Sequence, residues 1–555
     1  MFSAFKKFGK LGALASSVAR AWSPLALWPN GISTAGMWIS PSTLPASFND
    51  STGTTPVATP GTVADSANPV GLALDIRAGT PVLGPELVVN GDASNGTTGI
   101  VEANATVTAS GGQFTAVGTI DSYVGLSFSA MTTVIGATYK LSINYIGGTS
   151  APNQQYVNLG STLSGVDAAQ VHLSSTPGVN TYYFRAVSTT TYIYVTFLAV
   201  TGQTSIFSAI SVREIPGNHM LQASTTARPL ESARVNLLTD SGGTWPRAWG
   251  TATITSGAND PDGGATAFQI DMPAAYTGRN KTIPGGLAGK PLLASLYIKA
   301  DVAGTVRFFD GTGGSFDTTL NVTTQWQRLA ANSAIKVDAE SIEVGIYRND
   351  AGQLSKVYVW HPQLEVNTTT TPYQRVTTDS DYDATGVTPF QIYDGTDDGM
   401  ATASFAAGTL IDGMDCMIPI RRAGNTGSEI CGLIMQPLAS SEYFGVADPG
   451  SSSSATGSPG CGTPTYWVDG VQLAGGTSVT RGTLHAALTA GDWHILEVRN
   501  LDLSTWTAID FGNYGSGYNF NGARGDIMLF PSQADATERD RARQYLADLY
   551  GVTLA

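Results

Sequence analysis

The side chains most able to do chemistry in this chain are aromatic rings with planar polar neighbours. Trp245 and Trp249 sit in Gly-Gly-Thr-Trp-Pro-Arg-Ala-Trp-Gly, surrounded by turn residues, and Tyr276, Arg279, Asn280 and Tyr347 follow downstream. A flat ring can cover the C–H face of a pyranose while amide and guanidinium groups bracket its hydroxyls, so this set has the makings of a sugar site. A second group, Tyr123, Tyr156, Tyr182, Tyr183, Tyr192 and Tyr194, lies earlier in the chain. Strand aromatics usually belong to the core, and each of these starts from that expectation. Trp245 and Trp249 are the stronger candidates because loops surround them.

Hard oxygen ligands cluster twice, in Asn259-Asp260-Pro261-Asp262-Gly263-Gly264 and in Asp394-Gly395-Thr396-Asp397-Asp398. Calcium favours such ligands, but neither string has EF-hand spacing, and Asx-turn chemistry accounts for both without an ion. No cofactor is therefore expected, with calcium at Asp260, Asp262, Asp394, Asp397 and Asp398 as the alternative. Catalytic strings are missing: there is no Glu-x-Asp-x-x-Glu strand, His-Glu-x-x-His, Gly-x-Ser-x-Gly or Walker loop. The five histidines (172, 219, 361, 485 and 494) are scattered. Three cysteines, Cys416, Cys431 and Cys461, are too few and too irregularly spaced for a zinc site and are expected to be small buried thiols, with one bridge among them as the alternative. The chain does not read as an enzyme, although carboxylates distant in sequence could still meet as a depolymerase pair.

The elements that must position these groups are mainly β. At 555 residues there is material for about three domains, and charged residues make up only 13%. The net charge of -14 argues against a nucleic-acid partner. Residues 86–215 and 236–366 read as two copies of one unit. They share opening landmarks at Glu86-Leu87-Val88 and Asn236-Leu237-Leu238, strand-like middles at 139–145 and 293–299, later landmarks at 182–185 and 325–328, and closing landmarks at 211–215 and 363–366. Matched landmarks stand roughly 150 residues apart, a module and not a solenoid repeat.

Residues 1–22 differ from everything after them. Lys6, Lys7, Lys10 and Arg20 are basic, no acid precedes Asp50, and Phe2, Phe5, Phe8, Leu11, Leu14, Val18 and Trp22 recur at helical spacing. Gly9, Lys10, Gly12, Ser16 and Ser17 interrupt what would be a signal-peptide core, and no stretch is long and apolar enough to span a membrane. A basic amphipathic helix of this kind docks on a partner protein or lies on a membrane; docking fits the Pro-punctuated segment that follows. At the other end, 536–549 has helical periodicity, with Ala542, Tyr545, Leu546 and Leu549 on one face and Gly551 as a C-cap.

The segment from Trp38 to Asp75, the turn Tyr393-Asp394-Gly395-Thr396-Asp397-Asp398, and the ending Leu529-Phe530-Pro531-Ser532-Gln533-Ala534-Asp535 with Tyr545-Leu546-Ala547 and Tyr550-Gly551-Val552 carry a resemblance. They look like the concanavalin A-like, laminin-G-like sandwich domains of bacteriophage and prophage virion proteins, in which other modules are inserted between the halves of one jelly roll. The inserted units resemble carbohydrate-binding modules of the family 4/9 jelly-roll type, through closing strands such as Val357-Tyr358-Val359-Trp360-His361-Pro362-Gln363-Leu364-Glu365.

The expected architecture is three β-sandwich domains with a short N-terminal amphipathic helix and a C-terminal helix. Residues 1–22 form the anchoring helix, 23–35 a linker, 36–80 with 378–555 a discontinuous host sandwich, 86–215 the first jelly roll, 216–235 a linker, and 236–377 the second jelly roll. The resemblance implies a structural protein of a tailed-phage virion surface, on tail or capsid, attached to other virion proteins through its N-terminus and displaying modules toward host-surface glycan. By family habit it implies a homo-oligomer, a trimer if the protein is a fibre. A secreted glycan-binding adhesin and a polysaccharide depolymerase are the alternatives.

Overall fold

In a computed structural model of the chain, residues 22–555 are described apart from 44–45, 54, 80–82, 152–153, 175, 244, 284–290, 311–317, 333–341, 424–433, 436–441, 458–460, 513–518 and 533. Phe2, Phe5, Phe8, Leu11, Leu14, Val18 and Cys431 lie outside the described residues. The fold is mainly β, in antiparallel sheets that pair into three sandwiches.

Each guest sandwich is held by strands whose residues alternate between core and surface. In the first, 105–110, 113–118, 204–215, 138–148 and 178–185 run side by side in one sheet, and 100–103, 122–128, 190–199, 155–160 and 169–172 in the other. The second repeats this order: 253–258, 267–271, 356–366, 292–299 and 327–332 face 247–249, 277–283, 342–348, 304–310 and 318–322. The shared detail extends to irregularities. Two residues bulge from the closing strand of each copy, Ala209-Ile210 and His361-Pro362, and the first of each pair is left-handed, with φ of 50° and 51°. At the entrance, Glu86 Oε1 accepts from the N–H groups of Val88 and Val212, and Asn236 Oδ1 accepts from those of Leu238 and Leu364. Each guest closes its own core, around Phe114, Leu126 and Phe207 in the first and Phe268, Ile298 and Ile346 in the second.

The host is threaded by three separate stretches of chain. One sheet places Ser47–Phe48, Leu72–Ala73, Met220–Leu221, Met400–Thr402 and Asp510–Phe511 side by side. The other begins Leu230–Ser232, Phe390–Asp394, Asn521–Arg524, Asp412–Arg422, His494–Asp502, Gly462–Val468, with Met37–Ile39 joined through Ile527–Pro531. The expected linker at 216–235 is therefore not a linker: it supplies a strand to each host sheet. Its apolar Met220 is fully buried in one sheet, and the polar Glu231 and Ser232 are buried in the other, in the ladder next to Gln391 and Phe390.

This threading explains how the guests attach. Ala73 pairs with Met220 and Ser232 pairs with Phe390, so each guest replaces the loop of a host hairpin, one per sheet. A domain whose termini lie close together can be inserted at such a place. The first neck is fixed by Asp75, whose carboxylate accepts from the N–H groups of Trp38, Arg77 and Asn218, and by His219, whose Nδ1 accepts from the Asp75 N–H while Nε2 donates to the Ile215 carbonyl. Gln374 fixes the second, accepting from Val235 and Asn236 and donating to the carbonyls of Ala233 and Asp383.

The segment 23–35 also differs from its expected role. Leu27 and Trp28 are buried, Trp28 stacks on Trp38 with centroids 6.1 Å apart, and its indole donates to the Leu529 carbonyl. Trp22, expected on the anchoring stripe, packs against Tyr545 of the C-terminal helix and donates to Glu538. Apolar rings so close to the host core gain more from burial there than from solvent.

The C-terminal helix spans Ala536–Tyr550, capped by Asp535 at its start and by Gly551 (φ 70°) at its end. Ala542, Leu546, Ala547 and Tyr550 bury its inner face. Arg539 reaches Asp415 at 2.7 Å and Arg543 reaches Glu497 at 2.9 Å, tying the helix to two sheet strands. A second, unanticipated helix, Arg481–Ala487, is short and starts on Thr480, which accepts from the Thr483 N–H. No helix among the described residues is long and apolar enough to cross a membrane. Cys416 and Cys461 are free, buried thiols.

Candidate functional site

Alternation along paired strands decides which aromatics leave the core. In the second guest, Trp249 pairs with Gly278, Gly278 with Tyr347 and Tyr347 with Arg307, so these positions share one face of the sheet. That face is the outward one, because Ile346, Val306 and Phe308 between them fill the core. Trp249 and Tyr347 meet edge-to-face with centroids 5.4 Å apart, and Tyr276 stands beside them, 68% exposed and left-handed at φ 62°. Together with Arg307 and Asn349 they line an open groove of about 540 Å³.

The first guest has its own groove on the equivalent sheet. Tyr123, Tyr156, Tyr194, Asn158, Gln170 and Thr196 line about 300 Å³. Tyr123 and Tyr156 meet edge-to-face at 5.8 Å, Tyr156 packs on His172 at 4.2 Å, and Gln170 donates to Asn158. Gly125 pairs with Thr196, which pairs with Tyr156, matching Gly278, Tyr347 and Arg307 in the other copy. The two glycines have the same reason: a Cβ at Gly125 would collide with the Val195 carbonyl, and one at Gly278 with the Ile346 carbonyl. Two residues before each glycine stands the exposed tyrosine, Tyr123 or Tyr276.

Electrostatically the grooves differ. The first is lined by neutral groups, and the Tyr123 hydrogen bond raises the Tyr156 pKa. In the second, burial and the neighbouring Tyr276 raise the Tyr347 pKa while Arg307 lowers it, and Arg247 pairs with Glu343 on the same face. Asn280 lies within that sheet but is fully buried, donating to Glu343 at 2.8 Å. It braces the groove and does not line it.

Two expected site residues lie elsewhere. Trp245 is 1% exposed and packs against Phe268 in the core, its ring too large and apolar to be left on the loop. Arg279 pairs with Ala248 and Ile346, on the opposite face from Tyr347, and donates to the Pro246 carbonyl. Sequence reasoning missed Arg307 and Asn158 as groove residues. The available signal was the repeated Tyr-x-Gly at 123–125 and 276–278, which aligns the copies strand by strand.

The acidic clusters behave differently from each other. Both oxygens of Asp260 are occupied, Oδ1 by the N–H groups of Asp262 and Gly264 and Oδ2 by the N–H and hydroxyl of Thr266, while Asp262 is exposed. Those bonds hold the Asp260 pKa down at about 2. Asp394, Asp397 and Asp398 do converge, with one oxygen of each within 4.8 Å of the others. There too the turn is internally bonded: Asp394 accepts from the Thr396 N–H at 2.7 Å and Asp398 from the Asp394 N–H at 2.8 Å. Burial, then the two neighbouring carboxylates, push the Asp398 pKa up to about 7.

No family model matches the chain, and no curated protein matches it. Among solved structures it is similar to the tandem CBM22-1–CBM22-2 domain of Paenibacillus barcinonensis Xyn10C, at 14% identity over 51% of this chain and 98% of that one, with a TM-score of 0.24. A carbohydrate-binding module of family 4 aligns at 17% identity over 23% of this chain and 99% of its own, TM-score 0.17. The enzymatically active domain of bacteriophage CBA120 tailspike protein 4 aligns at 14% identity over 24% and 22%, TM-score 0.18. Likenesses this distant carry no functional argument.

Proposed function

We propose that this is a non-catalytic glycan-binding protein that holds saccharide chains in the outward grooves of its two guest sandwiches. One observation carries the reading: the same sheet in both copies sets an exposed tyrosine two residues before a backbone-contacting glycine, Tyr123 with Gly125 and Tyr276 with Gly278, inside a groove of rings and planar polar groups. Exposed rings at matched places, in two separately closed cores, are hard to explain by packing. The grooves are open, as a chain passing through requires, and the reading invokes no cofactor and no turnover.

The finer reading is that the host sandwich is a structural component of a tailed-phage virion surface, fastened through the N-terminal segment and presenting the guests toward host glycan as a homo-oligomer. The resemblance of the host segments supports this, as does a layout in which a single body carries two binding units on hairpin tips.

A glycan array probed with the full chain tests the binding reading. Selective retention on polysaccharide spots, weakened at least tenfold in a Tyr123→Ala/Trp249→Ala variant, is the expected result; equal retention by that variant would remove the grooves from the proposal. Bound glycan recovered at unchanged chain length checks the absence of turnover. For the virion reading, deletion of residues 1–21 should leave a folded body that no longer assembles on particles, and unimpaired incorporation would defeat it.

A further inference from the structure

A cavity of about 250 Å³ lies where the second guest meets the host, separate from both grooves. Its walls come from the end of the guest (365–367 and 371–374), the connection at 383–388, and the host around Arg421, Trp493 and the last turn of the C-terminal helix. The two bodies are latched beside it by Thr368, whose hydroxyl donates to Asp492 at 2.7 Å.

Arg421 stands between two rings, its guanidinium carbon 5.0 Å from the Phe390 centroid and 5.2 Å from that of Trp493. The adjacent Arg422 points the other way and donates to the carbonyls of His485 and Leu488. Arg421 has no hydrogen-bond acceptor among the described residues: the carboxylates that act on it, Glu365 and Asp492, are engaged by Thr371 and Thr368. Burial lowers its pKa to about 10, which leaves it charged at neutral pH. Its guanidinium, half-buried between the rings, faces this cavity and can donate to an acceptor placed there.

The rest of the lining says what kind. Asn367, Asp383 and Asp548 add planar polar groups, and Trp493 and Tyr550, 4.9 Å apart, add aromatic surface. An anion is disfavoured, because Asp383, Asp548 and the negative end of the helix dipole share the cavity with the one cation. A neutral polyhydroxyl can use donors and acceptors together. The volume falls below the range of about 300–1,000 Å³ typical of drug-sized ligands, which limits the guest molecule to one ring.

We propose that this junction is a third saccharide site, which takes a single neutral pyranose with Arg421 donating to its hydroxyls. Since guest and host both supply walls, occupation also fixes the second guest against the host. The proposal shares no residue with the grooves and stands or falls separately from them.

Saturation-transfer NMR on the full chain carrying Tyr156→Ala and Trp249→Ala isolates the site from the grooves. The panel is glucose, galactose, mannose, N-acetylglucosamine and glucuronate. At least one neutral sugar should bind and raise the melting temperature of this variant. Arg421→Gln should weaken that binding at least tenfold. Should Arg421→Gln fail to fold, Asn367→Trp, which blocks the cavity from its partly exposed rim, decides instead and should abolish the signal. No neutral sugar bound, glucuronate bound in preference, or binding unchanged in a folded Arg421→Gln or Asn367→Trp chain would each overturn the proposal.

Discussion

Ala73 and Met220 are antiparallel partners in one host sheet, although a complete sandwich lies between them in the chain. The host ladder continues across this gap as if a short turn filled it. Beyond the neck, the first guest touches the host through Phe48 against Tyr183 at 5.0 Å and the Tyr183 N–H donating to the Thr52 carbonyl.

Excision of the first guest should therefore leave a folded remainder. Replacing residues 79–214 by a short Gly-rich turn retains Asp75, Arg77, Asn218, His219 and the Ile215 carbonyl at the neck. The expected outcome is a single cooperative unfolding transition for the host with the melting temperature lowered by a few degrees; a remainder that shows no near-ultraviolet circular dichroism would refute independent folding of the host.

The two tryptophans of the 242–250 stretch should separate cleanly. Trp245→Ala removes a ring from the core and should cost about 3–5 kcal/mol, read by chemical denaturation of the second guest. Trp249→Ala should leave stability within about 1 kcal/mol, as for a surface residue, and act on glycan retention instead.

A pH dependence is expected from Glu231, buried in the host strand beside Phe390–Asp394, where desolvation pushes its pKa from 4.5 up to about 8. Below pH 4.5 the side chain is protonated in folded and unfolded chains alike, and its contribution is fully present. As pH rises toward 8 the unfolded chain releases the proton and the folded one retains it, so stability falls. Glu231→Gln should remove this part of the slope: the variant should gain on the wild type between pH 5 and about 8 in thermal melts and level off above it. A constant offset between the two curves would contradict the assignment.

The helix ties predict a further loss. Asp415 is fully buried and accepts from Arg539, Ser532 and the Asn500 N–H, so Asp415→Ala removes three hydrogen bonds at once, leaves the half-buried Arg539 with only the Ser532 carbonyl and Glu497, and should cost about 1–3 kcal/mol. Limited proteolysis at the C-terminal helix, faster in the variant than in the wild type, is the accompanying readout.

Much of this protein was legible in its residues. The β character, the duplicated unit with its matched landmark strands, and the capped C-terminal helix follow from periodicity and turn chemistry, which are local properties. Closing strands at 211–215 and 363–366 fall on the same strand of the same sheet because both copies need the same alternation to cover the same core. Two misreadings also have local causes. The 23–35 and 216–235 segments are rich in Pro, Gly, Ser and Thr and look like connectors, yet a strand of two or three residues such as Met220–Leu221 needs no periodic pattern when its neighbours on both sides supply the ladder.

Residue type alone could name the aromatic candidates but not sort them. Trp245 and Trp249 stand four positions apart in the same turn-rich stretch, and only the pairing of Trp249 with Gly278 puts one on the groove while the other packs on Phe268. Facing in a strand depends on register with partners from distant sequence, and the cavity around Arg421 depends on how two separately folded bodies come together. The sequence alone determined which modules exist and what surfaces they could bear; tertiary structure decided which rings face outward, because register and domain contact are set by long-range packing that no local pattern encodes.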